Sequence, residues 1–146
     1  PRLIICALTG FGQTGPDRHR AGHDLGYLAR AGVLGVTGPR GQPPAVSGAQ
    51  MADVAGGALW AVSAICAALY QREKTGQGTV LDIAMCEGSI GLASFALSTG
   101  LRGPETTGRG EGILAGALAP YRCYLTADGQ AMALAALAWP MIVLMP

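Results

Sequence analysis

The chain has 146 residues, half of them hydrophobic, enough to bury one ordinary core, so it reads as one domain or part of a larger one. Ten Lys and Arg nearly cancel nine Asp and Glu, and the basic residues are scattered, which argues against an electrostatic nucleic-acid or membrane surface and for small-molecule chemistry. Cys6, Cys66, Cys86 and Cys123 form no C-x-x-C pair and three lie in apolar segments, so buried, reduced thiols in a cytoplasmic protein are expected.

Pro1 opens straight into the strand-like RLIICAL with no export leader, as expected of a piece of a longer chain. Residues 2–8 form an apolar, β-branched run ending at a glycine turn, the pattern of a buried strand. Residues 10–22 are a polar loop of glycine, proline and arginine. From Asp24, DLGYLARAG has a capping acid, apolar Leu25, Leu28 and Ala29 at helical spacing, and a stop at Gly32, which predicts a short helix. Residues 35–51 are a long Gly- and Pro-rich connection, a kind that tends to be functional inside a compact domain.

The clearest element is a helix from Ala55 to about Glu73, with Asp53 as its possible cap and Leu59, Val62, Cys66 and Leu69 spaced by three and four. Its uncharged stretch, Val54 to Tyr70, just reaches the lower limit for crossing a bilayer. Gly56, Gly57 and Ser63 within it make a buried core helix the expected form. TVLDIAM predicts a second strand and EGSIGLASFALSTG a second, small-residue helix, so strand, helix and strand point to an α/β layer. After a Gly- and Thr-rich loop, APYRCYLTADGQAMALAAL predicts a hairpin around a TADG turn. The expected organisation is residues 1–100 in a large α/β domain, 101–117 as linker, and 118–146 as the start of a small α+β domain.

Residues 8–16, LTGFGQTGP, spell G-x-G-x-x-G with Gly10, Gly12 and Gly15. A dinucleotide fold places the third glycine at a helix start, where free N–H groups meet the pyrophosphate. Here Pro16 follows at once, DRHR puts polar residues where the helix face should begin, and LARAG stands about 20 positions on, where an acidic residue belongs. A nicotinamide site is not expected.

His23, in AGHD, reads either as a histidine hydrogen-bonded at a helix start or as a catalytic imidazole. Asp53, in MADVAGG, is equally an N-cap or a reacting carboxylate: Gly56 and Gly57 would let a ligand approach the backbone, and a helix start favours negative charge. Asp24 and Tyr27 read as capping and packing residues, and His19 as a solvated loop residue. Arg2, Arg18, Arg20 and Arg40 could each meet a phosphate, and the sequence singles out none.

TGFGQTGPDRHRAGHDLGYLARAGVLG, ADVAGGALWAVSAICAALYQREKTGQGTVLDIAMCEG and YRCYLTADGQAMALAAL together resemble the class III CoA-transferase family of the CaiB/BaiF type, most closely its α-methylacyl-CoA racemase branch. The resemblance implies a fragment of a Rossmann-like large domain followed by the start of the small domain, from an interlocked homodimer more than twice this length. It implies that the glycine turn is scaffold around an acyl-CoA site. The implied substrate is an acyl-CoA thioester, with no metal and no redox cofactor. In the racemase branch the residue matching His23 takes the α-proton of a 2-methylacyl-CoA, and the one matching Asp53 serves the opposite face. In transferases the matching aspartate is a nucleophile that forms an acyl anhydride. The turn bearing Asp24 and Tyr27, and the Gly56–Gly57 pair, are implied to lie against the substrate. N–H groups near Asp53 and the glycine loops are the expected holders of an enolate oxygen.

The pattern breaks near the end. Racemases follow ADG with G-A-L/I-E-P, whose glutamate assists the histidine; AALAWP has Ala138 there, followed by an apolar tail in place of the usual mixed continuation. An altered reading frame or a misassembled end is the expected cause, and another frame restoring EP would establish it. The alternatives are thus a racemase, a CoA transferase, and a non-catalytic fragment that folds only against a partner chain.

Overall fold

The computed structural model describes residues 1–101, 108–137 and, as backbone, 142–144; Ala138 lies outside the described residues. The chain divides into two units, Pro1–Val33 with Val46–Phe95, and Leu34–Ala45 with Ala96–Pro146.

In the first unit, strand β1 (Ile4–Thr9) pairs in parallel with β2 (Thr79–Ala84), in register from Ile4 opposite Thr79 to Thr9 opposite Ala84. Parallel partners need a crossover, and the 69 residues between Thr9 and Thr79 supply it in helical form. Helix α1 (Asp24–Arg30) comes first, and Val33–Val36 is a single further turn, α2. A π-helix, Met51–Ala58, then runs without a break into α3 (Leu59–Thr75). Gly76, at φ 72°, ends α3 by turning its N–H onto the Arg72 carbonyl at 2.8 Å. After β2, α4 (Met85–Leu92) crosses the π-helix, and α5 (Ser94–Leu101) follows.

Among the described residues, the buried apolar ones are small. Besides Tyr27 and Leu28, they are Ala31, Ala52, Ala61, Ala68, Ala84 and Ala93. With so little side-chain volume between them the helices approach to backbone contact. A Cβ on Gly56 would meet Ser89 Oγ and, at 2.8 Å, the Met85 carbonyl, and one on Gly88 would strike the Gly56 carbonyl. Gly88→Ala is therefore expected to push the π-helix and α4 apart and cost about 1–3 kcal/mol, read as a lower urea midpoint with unchanged slope.

Several expectations change. The long helix begins at Met51, and Asp53 lies in its first turn, not at its cap, because Gln50 occupies that position. In α1 the buried residues are Tyr27 and Leu28, with Ala31 just beyond, while Leu25 is exposed. The predicted second helix breaks at Ala93, among residues whose glycines, Gly88 and Gly91, weaken helical continuity.

The stretch Met51–Thr75 is long and apolar enough to cross a membrane by length and composition, a test that core helices also pass. It is not the buried core helix expected. Two strands cover one side of α3, and Leu59, Trp60, Val62 and Tyr70 remain more than half exposed. All four cysteines are free, but Cys66 and Cys123 are exposed, so the expectation of burial fails for that pair.

In the second unit, β3 (Tyr121–Leu125), β4 (Ala131–Ala135) and β5 (Ile142–Leu144) form an antiparallel sheet in that order. The predicted TADG turn joins the first pair: Gly129 takes φ 81°, and the Gln130 N–H donates to Thr126 Oγ1 at 3.1 Å. The Asp128 carboxyl accepts the Thr126 hydroxyl, which holds it below the usual carboxylate range. The tail read as atypical contributes β5. Residues 34–45 belong to this unit, where Arg40 pairs with Glu111 at 3.2 Å and Arg109 Nε donates to the Gln42 carbonyl.

Candidate active site

The glycine turn after β1 is filled by the chain itself. The Gly12 N–H donates to Thr9 Oγ1 at 2.9 Å, and the Gln13 N–H donates to both Asp82 oxygens at 3.1 and 2.9 Å. An internal carboxylate thus occupies the place a phosphate takes in a nucleotide loop, and no helix follows until Asp24. The G-x-G-x-x-G letters mark a tight turn clamped to β2.

That turn leads to α1, whose start is built around Tyr27. Its ring fills a notch that two glycines leave open: a Cβ on Gly10 or Gly22 would meet the ring. Phe11 packs edge-on against it, with ring centroids 5.2 Å apart, and its hydroxyl donates to the Gly22 carbonyl at 2.6 Å. The backbone immediately before His23 is therefore pinned. Burial, and then the negative charge of Asp53, push the Tyr27 phenol above the ordinary tyrosine range.

His23 occupies the N-cap position of α1 in extended geometry and makes no side-chain capping bond. The structural reading of this residue, a histidine hydrogen-bonded at a helix start, is not what forms. Its imidazole is exposed. Asp53 is half-buried in the first turn of the π-helix.

Asp24 joins the two. Its Oδ1 accepts the Ala52 N–H at 2.6 Å and the Asp53 N–H at 3.0 Å. The acid expected to cap its own helix caps another one, 28 and 29 positions along the chain. The residue after His23 is thus hydrogen-bonded to the backbone of Asp53.

Gly56 and Gly57 are buried against Ser89, Met85 and Leu8, so the space their missing side chains leave is taken by α4 and β1. The Ala52 and Asp53 N–H groups, expected to be open to an oxyanion, are occupied by Asp24. Arg2 pairs with Glu73, Arg18 donates to the Gly15 carbonyl, Arg20 pairs with Asp17, and Arg40 with Glu111, so each arginine considered for a phosphate has an internal partner. His19 is exposed, as expected. A cleft of about 1030 Å³ in the second unit, lined by Arg40, Glu111, Leu114, Tyr121, Arg122 and Leu134, contains none of the residues singled out for catalysis.

Residues 1–142 match CoA-transferase family III. The chain belongs to that family. It is 42% identical over 137 residues to the α-methylacyl-CoA racemase of Homo sapiens, covering 94% of this chain and 36% of the relative. It is 37% identical over 129 residues to the succinyl-CoA:glutarate CoA-transferase of Mus musculus, covering 88% and 29%. Among solved structures it superposes on a CaiB/BaiF family protein from Brucella suis with a TM-score of 0.79 at 32% identity, over 91% of this chain and 34% of that one. The chain thus spans about a third of the length of these relatives, and they include both racemases and transferases.

Tyr27 gives this site a measurable pH signature. Because its folded-state pKa is raised, the phenol stays neutral and the associated stability is present below the unfolded value of about 10, then lost as pH rises through the folded one. Tyr27→Phe is expected to remove from the 295 nm titration an ionisation lying above the ordinary tyrosine range.

Proposed function

We propose that the complete protein acts on acyl-CoA thioesters, inverting the carbon next to the thioester carbonyl of a 2-methylacyl-CoA, with His23 and Asp53 as the two proton-transfer groups. The observation that carries this is the Asp24 bridge, which ties the turn bearing the histidine to the turn bearing the aspartate.

The chemistry follows from the thioester. A neutral imidazole nitrogen of His23 takes the α-proton, and the C–H electron pair moves toward the carbonyl to form an enolate. The Asp53 carboxyl then delivers a proton to the opposite face, leaving the inverted thioester. In the reverse direction the two groups exchange roles. An enolate oxygen needs donors, and since Asp24 takes those of Ala52 and Asp53, the Asp24 and Leu25 N–H groups are the better candidates. They open α1 with no partner among the described residues. Neither proton transfer needs a metal or a redox cofactor, and a homodimer in a reducing cytoplasm belongs to the same reading.

A second reading has Asp53 as nucleophile of a CoA transferase, and the likeness to the succinyl-CoA:glutarate enzyme supports it. Incubating the complete protein with (2R)-methylacyl-CoA in D₂O separates the two. Deuterium entering the α-position without an acceptor acid is the expected result. Thioester transfer to an added carboxylate, with no α-exchange, overturns the racemase reading in favour of the transferase. A third reading, that residues 1–146 alone do no chemistry, is supported by the share of the relatives' length they span. It predicts no acyl-CoA binding by the isolated chain.

A further inference from the structure

We infer that Asp24 is a positioning residue whose carboxylate fixes the separation of His23 and Asp53. The inference rests on reading those two as the reacting groups. It concerns a side chain that, on this geometry, serves neither as acid nor as base.

A helix start leaves N–H groups without intrahelical partners, and the usual remedy is a short polar side chain at the helix's own N-cap. Here the N-cap is Gln50, which makes no side-chain capping bond. The task passes to Asp24, and Oδ1 alone takes both the Ala52 and the Asp53 N–H groups, at 2.6 and 3.0 Å. A local cap would satisfy the same donors equally well. Only a cap from residue 24 also determines where residue 23 stands.

Everything around Asp24 makes that arrangement rigid. Tyr27, one turn along α1, is locked in the Gly10–Gly22 notch and bonded to the Gly22 carbonyl, so the chain entering His23 is fixed from the other side. The Asp53 end is equally restrained, because Ala52, Gly56 and Gly57 are buried and α4 packs on the two glycines through Ser89 and Met85. The charge of Asp24 also lies at the positive end of a 25-residue helix, where a carboxylate is favoured. Two groups that must serve opposite faces of one carbon require this kind of fixed spacing, since a displacement of about 1 Å can cost 10²-fold in rate.

The test separates holding the helix from holding the pair. In the complete protein, Asp24→Ala is expected to lower kcat for α-proton exchange by about 10–100-fold with KM within about threefold. Asp24→Asn keeps an oxygen that accepts the same two N–H groups and is expected to restore most of the rate. The decisive variant is Asp24→Ala combined with Gln50→Asp, which supplies a local cap. It is expected to recover the thermal midpoint while kcat stays low. Recovery of kcat together with the midpoint would show that Asp24 only caps a helix and would overturn the inference. A rate for Asp24→Asn as low as for Asp24→Ala, with the fold intact, would overturn it by showing that the charge itself reacts. If Asp24→Ala alone does not fold, the double variant and Asp24→Asn carry the test. Wild-type exchange unaffected by any Asp24 substitution sinks the inference and leaves the proposed function standing, whereas a wild type that neither exchanges nor transfers sinks both.

Discussion

Asp53→Asn is expected to reduce inversion of a 2-methylacyl-CoA by the complete protein about 10²–10⁴-fold, the usual contribution of a positioned acid or base, while His23 still exchanges the α-proton on its own face. The amide has nearly the size of the carboxyl but neither takes nor delivers the proton, and it forms no anhydride, so transfer of CoA to a carboxylate is expected to disappear with it. The fold should be nearly indifferent. Asp53 is half-buried in the first turn of a helix, where its charge contributes about 0.3–1 kcal/mol through the helix dipole. The Asp24 bonds go to backbone N–H groups that the substitution leaves in place. The same variant carries an internal control on geometry. The negative charge of Asp53 is one of the two causes that raise the Tyr27 phenol, so removing it should lower that ionisation while the larger effect, burial, remains. Retention of inversion within about threefold, with the Tyr27 shift observed, would show a properly placed aspartate that does no chemistry.

Asp53 and His23 were legible in the sequence as candidates, and the link between them through Asp24 was not. Polar residues beside predicted helix starts have a structural explanation available every time. The structure shows no capping bond from His23 and places Asp53 in the first turn instead of at the cap, where the helix dipole still favours its charge. The placement of Asp53 depends on where the long helix begins. The apolar spacing of Leu59, Val62, Cys66 and Leu69 locates the body of that helix but says nothing about its first two turns, which wind as a π-helix. The first two strands were legible because β-branched runs bounded by glycine have few other uses, and their ends fall within two residues of those expected.

Asp24 shows where linear reading stops. Its position before Leu25 and Leu28 makes it a natural cap for its own helix, and capping motifs are read from neighbours three or four positions away. The bond it makes spans 28 residues, and no local pattern encodes that. Gly56 and Gly57 illustrate the reverse. A glycine pair near a candidate carboxylate suggested room for a ligand, but the same absence of Cβ atoms allows two helices to touch, and Gly88 on α4 is the matching surface. The pair could be assigned to α4 only once the crossing helix was placed.

His23→Gln carries the second large effect and separates the two proton-transfer groups from each other. Racemisation needs one group per face, so the variant is expected to lose inversion by about 10²–10⁴-fold. Exchange on the face served by Asp53 should survive, because that carboxylate, its helix and the Asp24 bridge are untouched. One enantiomer of a 2-methylacyl-CoA should then still take up solvent deuterium without changing configuration, while the other becomes inert. The imidazole is exposed and makes no capping bond, so stability should change by no more than about 0.5 kcal/mol. This result also decides between the two activities at a single residue. A transferase using Asp53 as nucleophile would keep its CoA-transfer rate in His23→Gln and lose it in Asp53→Asn, whereas a racemase loses inversion in both. Undiminished inversion by His23→Gln would remove the imidazole from the mechanism, and the second face would have to be served by a group other than His23.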